Sequence, residues 1–125
     1  RSFIHCHSYR ADEILMLLRT ADELGIKVRS LQHVLEGYKI AREIAAHGAS
    51  CSTFSDWWAF KIEALDATPF NAALLMQAGV NTVIKSDDAE AMRHLPLEAA
   101  KSLRYGNMPE PAALQMVTLN AAREL

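Results

Sequence analysis

Four times along this chain a short apolar run gives way to a longer stretch with helical periodicity. The runs are Ser2–His7, Lys27–Val34, Ala49–Phe54 and Val80–Ser86. After the first, Arg10–Leu24 places Ile14, Leu15, Leu17, Leu18, Ala21 and Leu24 at helical spacing. Tyr38–Ala46, Phe70–Gln77 and Leu97–Tyr105 follow the other three. Gly25, Gly48 and Gly79 stand just past three of the helices, where a helix commonly stops. This alternation predicts an α/β fold: four consecutive βα units, with a parallel sheet covered by helices. A last helix is expected over Pro109–Leu125, with Pro109 and Pro111 in its tolerant first turn. Ser55–Pro69 reads as a long connection, with room for a turn or two of helix over Trp58–Ala64.

Composition narrows the function classes. The 125 residues suit one domain, and 50% are hydrophobic, enough for a buried core. Thirteen basic residues face fifteen acidic ones, for a formal charge of −2. That balance gives no footprint for nucleic acid and no polybasic stretch for a membrane surface. Apolar runs such as Ala72–Met76 fall far short of the roughly 20 residues needed to span a bilayer. No secretory leader is visible, so a cytoplasmic protein is expected. Cys6 and Cys51 form no CxxC pair and read as two buried thiols in a reducing compartment.

The strand ends carry the chemistry. They hold His5 and His7, then His33, then Ser55 and Asp56, then Asp87 and Asp88. In parallel α/β folds, ligands bind beyond the carboxyl ends of the strands. His5 and His7 are two apart, so both side chains point to one face. Neutral imidazole and carboxylate are the ligands of zinc and related divalent ions in hydrolytic sites. Such an ion lowers the pKa of bound water to about 7. Asp87, at a strand end, suits a general base, while Asp88 is the better candidate to cap the following turn. Trp57 and Trp58 read either as a substrate wall or as a loop packed on itself. Lys61 and Glu63 read as a solvated face. His47 and His94 lie away from the strand ends and read as structural or exposed.

Five segments occur in order: Ile4–Arg10 (IHCHSYR), Leu31–Lys39 (LQHVLEGYK), Ser52–Trp58 (STFSDWW), Lys85-Ser86-Asp87 and Thr118–Ala122 (TLNAA). Together they resemble the second half of the amidohydrolase superfamily, in particular its imidazolonepropionase-like and Xaa-Pro-dipeptidase-like members. The resemblance implies half of a TIM (β/α)8 barrel, with residues 1–125 as a single partial domain matching barrel strands five to eight. It implies a metal site from His7 and His33, with Asp87 as ligand and proton carrier and His5 as the alternative on its strand. The implied cofactor is a divalent metal, zinc being the expected ion. Tyr9, Arg10, Tyr38, Trp57 and Trp58 then fall where a small-molecule or dipeptide-like substrate would bind, with an amide or other C–N bond as the target.

The departures are specific. The family's first-strand His-x-His pair and its strand-four bridging residue have no separate counterpart here. Lys85 stands where the family often has Asn, and Ala121 where it has Pro. A half-barrel would leave open sheet edges and an uncovered interior. The chain is therefore expected to self-associate or to meet a missing N-terminal half. The competing expectation is a binding module that keeps the fold without a complete metal site.

Overall fold

The computed structural model describes residues 3–125; Ser2, the expected start of the first strand, lies outside them. The elements run β1 (Ile4–Ser8), α1 (Ala11–Glu23), β2 (Val28–His33), α2 (Ala41–His47), β3 (Ser50–Thr53), α3 (Asn71–Gln77), β4 (Thr82–Ile84), α4 (Leu95–Gly106), α5 (Glu110–Gln115) and α6 (Leu119–Glu124). The four strands form one sheet in the order β1-β2-β3-β4, every pair parallel. The expected α/β architecture of successive βα units is present.

Register assigns the two faces. Cys6, Leu31 and Cys51 are in line across β1–β3. They pack against Ile14 and Leu18 of α1 and Ile44 of α2. Each fully buried Leu or Ile in that layer contributes about 1.5–3 kcal/mol of transfer free energy. Ile84 of β4 joins a second apolar layer with Ala73 of α3, Ala99 of α4 and Met116 after α5. Side chains alternate along a strand. The residues between these therefore form the opposite, inward face: His5 and His7, Ser30 and Gln32, Ser50 and Ser52, and Val83.

That inward face is polar, and one carboxylate organises it. Glu124, at the end of α6, is 5% exposed. It accepts hydrogen bonds from Ser30 Oγ, from Ser52 Oγ at 2.6 Å and from Gln32 Nε2 at 3.3 Å. Arg29 holds the same turn by donating to the carbonyls of Glu124, at 3.1 Å, and Arg123, at 2.5 Å.

The last helix departs from expectation. Pro109–Leu125 is two helices, broken at Met116–Thr118. The break releases the Met116 carbonyl, which accepts the Ile84 N–H at 3.1 Å. Asn120 Nδ2 then donates to the Thr82 carbonyl at 2.9 Å. Both partners lie on the outer edge of β4, so the bend occupies groups that an edge strand otherwise leaves free. Strand β4 is also shorter than the expected Val80–Ser86. The flanks stay tied to β3 by single bonds, Cys51 N to Asn81 O and Lys85 N to Thr53 O, both at 2.9 Å.

Candidate active site

Positive φ angles cluster where β2 and β4 end: His33 at 78°, Val34 at 47° and Asp87 at 51°. A β-branched residue such as Val34 is strained there and stays only where its surroundings over-determine it. Three bonds do so. Val34 N donates to Ser8 O at 2.9 Å, and the Val34 carbonyl accepts from Gly37 N at 3.0 Å and Asn71 Nδ2 at 2.9 Å. Asn71 is 1% exposed and also donates to Thr53 Oγ1. Gly37 cannot carry a side chain, because a Cβ would come within 2.7 Å of Val34 Cγ1. The turn therefore presents His33 to its neighbours in one fixed pose.

The neighbours are a histidine, three aromatics and two lysines. His7 Nδ1 lies 2.9 Å from His33 Nε2, so one ring donates to the other. On the far side, His33 Nδ1 is buried without a hydrogen bond, and the nearest acceptor is Asp87 Oδ2 at 3.5 Å. Asp87 is in turn 2.7 Å from Lys85 Nζ. Tyr9 stacks on the His33 ring, with centroids 4.5 Å apart and planes within 9°. Phe54 approaches His33 at 5.6 Å and stacks on Trp57 at 4.6 Å. Lys85 Nζ is 4.9 Å from the Phe54 ring, and Lys61 Nζ is 3.5 Å above the Tyr9 ring. Burial, then the Lys85 charge, push the His33 pKa down from 6.5 to about 4. His33 is therefore a neutral imidazole at neutral pH, the form that binds a metal.

The expected site residues fall into two groups. His7, His33, Asp87, Tyr9 and Trp57 come together. His5 is on the same face as His7 but makes no side-chain hydrogen bond among the described residues. Arg10 is engaged by Asp12 at 2.9 Å, and the Tyr38 hydroxyl by the Asp66 carbonyl at 3.0 Å, both away from the histidines. Trp58 turns outward to a separate hollow of about 350 Å³ with Asp56, Pro69 and Tyr105. Asp88 takes the Glu90 and Ala91 N–H groups at 2.9 and 2.8 Å, as a turn-capping residue does. His47 is structural: Nε2 accepts from Val28 N at 3.1 Å, and Nδ1 meets Asp22 at 2.9 Å. Both cysteines are free thiols, Cys51 buried and Cys6 only half-buried.

The fit to a metal is partial. Two imidazoles on one tetrahedral zinc lie roughly 3.4 Å apart, given ligand bonds of about 2.1 Å. His7 and His33 need only part slightly to reach that geometry. Asp87 does not join them, since it faces the opposite nitrogen of His33. It sits where an outer carboxylate orients a ligating ring. Among the described residues, no three His, Cys, Asp or Glu side chains gather as a cage. The residues present fit two corners of a metal site.

A four-stranded parallel sheet with polar groups gathered at its carboxyl ends defines an α/β fold that matches part of an amidohydrolase barrel. The match is to the crystal structure of an amidohydrolase from Thermotoga maritima MSB8, with a TM-score of 0.81 and 29% identity. It covers 95% of this chain and 31% of that one, so the chain spans about a third of that protein's length. No protein-family model matches the chain, and no curated protein does. No helix among the described residues is long and apolar enough to cross a membrane.

Lys61, Phe54 and Phe60 belong to the site and were not legible as such. Lys61 looked like part of a solvated loop. Its only sequence signal is its place directly after Phe60, three residues past the Trp57–Trp58 pair.

Proposed function

We propose that this chain supplies part of the active site of a metal-dependent hydrolase acting on amide or other C–N bonds. The observation that carries this is the His7–His33 pair, 2.9 Å apart at the ends of adjacent parallel strands, in a fold similar to an amidohydrolase. His7 and His33 would hold the ion, zinc by preference, with His5 in reserve on the same face. Such an ion, when bound, supplies an activated water and stabilises negative charge on the reacting carbonyl. His33 contributes a neutral ring, oriented by Tyr9 stacking and by Asp87 behind it. Asp87, held between Lys85 and the far nitrogen of His33, would have to turn from behind that ring to take the proton from the attacking water and return it to the leaving nitrogen. Tyr9, Phe54 and Trp57 form the apolar wall that excludes bulk water. The remaining ligands come from a companion half of the barrel or from a second copy of this chain.

Metal analysis tests this. Purified protein incubated with zinc and then desalted should retain the ion, and His7→Ala or His33→Ala should release it. Retention unchanged in both variants, or no retention by the parent protein, overturns the reading.

A further inference from the structure

One carboxylate oxygen at the strand ends has two claimants. Asp87 Oδ2 lies 2.7 Å from Lys85 Nζ and 3.5 Å from His33 Nδ1. The first is a charge-assisted hydrogen bond; the second is too long for one. Lys85 has won the oxygen, and His33 Nδ1 is left buried without a partner. The lysine is placed to keep it. Its side chain is mostly buried, with Nζ 4.9 Å from the Phe54 ring. A buried ammonium needs a counter-charge, and among the described residues Asp87 is the carboxylate it reaches.

The consequence falls on the tautomer of His33. A neutral imidazole carries one proton, and the partners of its two nitrogens decide where. His7 Nδ1, 2.9 Å from His33 Nε2, can accept an N–H on that side. On the other side Asp87 is out of reach, and a buried N–H without an acceptor is costly. His33 therefore keeps its proton on Nε2, facing His7. A ligand to a metal at that position needs the reverse: a bare Nε2 toward the ion, and an Nδ1–H held by an outer carboxylate. The Lys85 charge acts in the same direction. After burial it is the largest influence against positive charge on the ring, and it opposes a dication more strongly than a proton.

We propose that Lys85 is a positioning residue: it withholds Asp87 from His33 and so keeps the histidine pair in a closed, proton-sharing form instead of a metal-binding one. Loading an ion then requires Asp87 to shift from Lys85 toward His33. For the ion this inference rests on the hydrolase reading; for the tautomer it stands without it.

The experiment compares the full chain with its Lys85→Met and Lys85→Arg variants. Long-range proton–nitrogen NMR spectra of the His33 ring report which nitrogen carries the proton. Competition with a chromogenic chelator reports zinc affinity. In the parent protein the proton should sit on Nε2. Lys85→Met should move it to Nδ1 and tighten zinc binding about tenfold, the scale of one like charge removed from a partly exposed site. Lys85→Arg keeps the charge and should behave as the parent does. Adding Asp87→Ala to Lys85→Met removes the acceptor and should return the proton to Nε2. A proton already on Nδ1 in the parent, or one that stays on Nε2 in Lys85→Met, overturns the proposal. So does a zinc affinity that Lys85→Met leaves unchanged while His33→Ala abolishes it. A tautomer that moves as expected, with zinc bound by neither parent nor variant, sinks the hydrolase reading and leaves this one standing.

Discussion

Two polar clusters belong to one sheet, one on its inward face and one at its strand ends, and they are built on opposite terms. In the first, Ser30, Gln32 and Ser52 all donate to the Glu124 carboxylate, which is almost completely buried. In the second, at the strand ends, His33 Nδ1 is buried without a hydrogen bond and three residues hold positive φ angles. Buried polar groups are normally paired, because an unpaired one costs about 1–3 kcal/mol. The first cluster obeys that rule and ties α6 to the sheet. The second breaks it at the carboxyl ends of parallel strands, where the proposed site lies and where strain and unmet valence collect. One cluster is a fastener; the other leaves a buried ring nitrogen unpaired.

The strongest way to break that distinction is Glu124→Ala. It strands the hydroxyls of Ser30 and Ser52, while Gln32 keeps its bond to Ser30 Oγ at 2.8 Å, and should cost about 2–4 kcal/mol, read as a lowered urea midpoint. Glu124→Gln keeps an acceptor and should cost less. The strand-end site should hardly notice, so zinc retention by the folded fraction should match the parent protein. A loss below about 1 kcal/mol would show that the carboxylate fastens nothing.

These clusters were not equally legible in the sequence. His7, His33 and Asp87 stood out because a strand end in a parallel fold advertises its side chains. The alternation of apolar runs and amphipathic stretches likewise exposed the four βα units. Glu124 gave no signal, because a glutamate at the end of a helix ordinarily faces water. Its burial depends on the bend at Met116–Thr118, which a continuous helical pattern conceals. That bend is set by bonds from the Ile84 N–H and to the Thr82 carbonyl, partners more than thirty residues earlier. Lys61 was missed for a related reason: its partner Tyr9 is 52 positions away, and only the fold brings them together. The distinction between Asp87 and the histidines also needed coordinates. Spacing placed all three at one mouth, but the ring orientation decides which nitrogen of His33 each neighbour meets.

A smaller effect follows from the neutral His33. Its pKa falls from 6.5 to about 4 on folding, through burial first and the Lys85 charge second. Between those values the unfolded chain carries a proton that the folded chain refuses. The stabilising contribution is therefore complete above about pH 6.5 and is lost as pH falls toward 4. The urea midpoint should drop between pH 7 and pH 5, and His33→Asn should flatten that part of the profile. An unchanged slope in the variant would mean that His33 is protonated with ease, and the contrast with the Glu124 cluster would weaken.

The smallest expected effect separates strain with a purpose from strain without one. Ala59 also has a positive φ, at 52°, but it is exposed in the loop after β3 and bonds only to the Ala64 carbonyl, at 2.8 Å. A residue with a Cβ pays about 1–2 kcal/mol for the left-handed region. Glycine avoids that cost but loses about 0.5–1 kcal/mol through its freer unfolded chain. Ala59→Gly should therefore raise stability by roughly 0.5 kcal/mol, visible as a small rise in the urea midpoint. Zinc retention should stay as it is, because His7 and His33 lie outside the turn that the Ala59–Ala64 bond closes. A fall would place the Ala59 turn in the same constrained unit as His33 and Val34, and extend the strained region from the strand ends into the β3 loop.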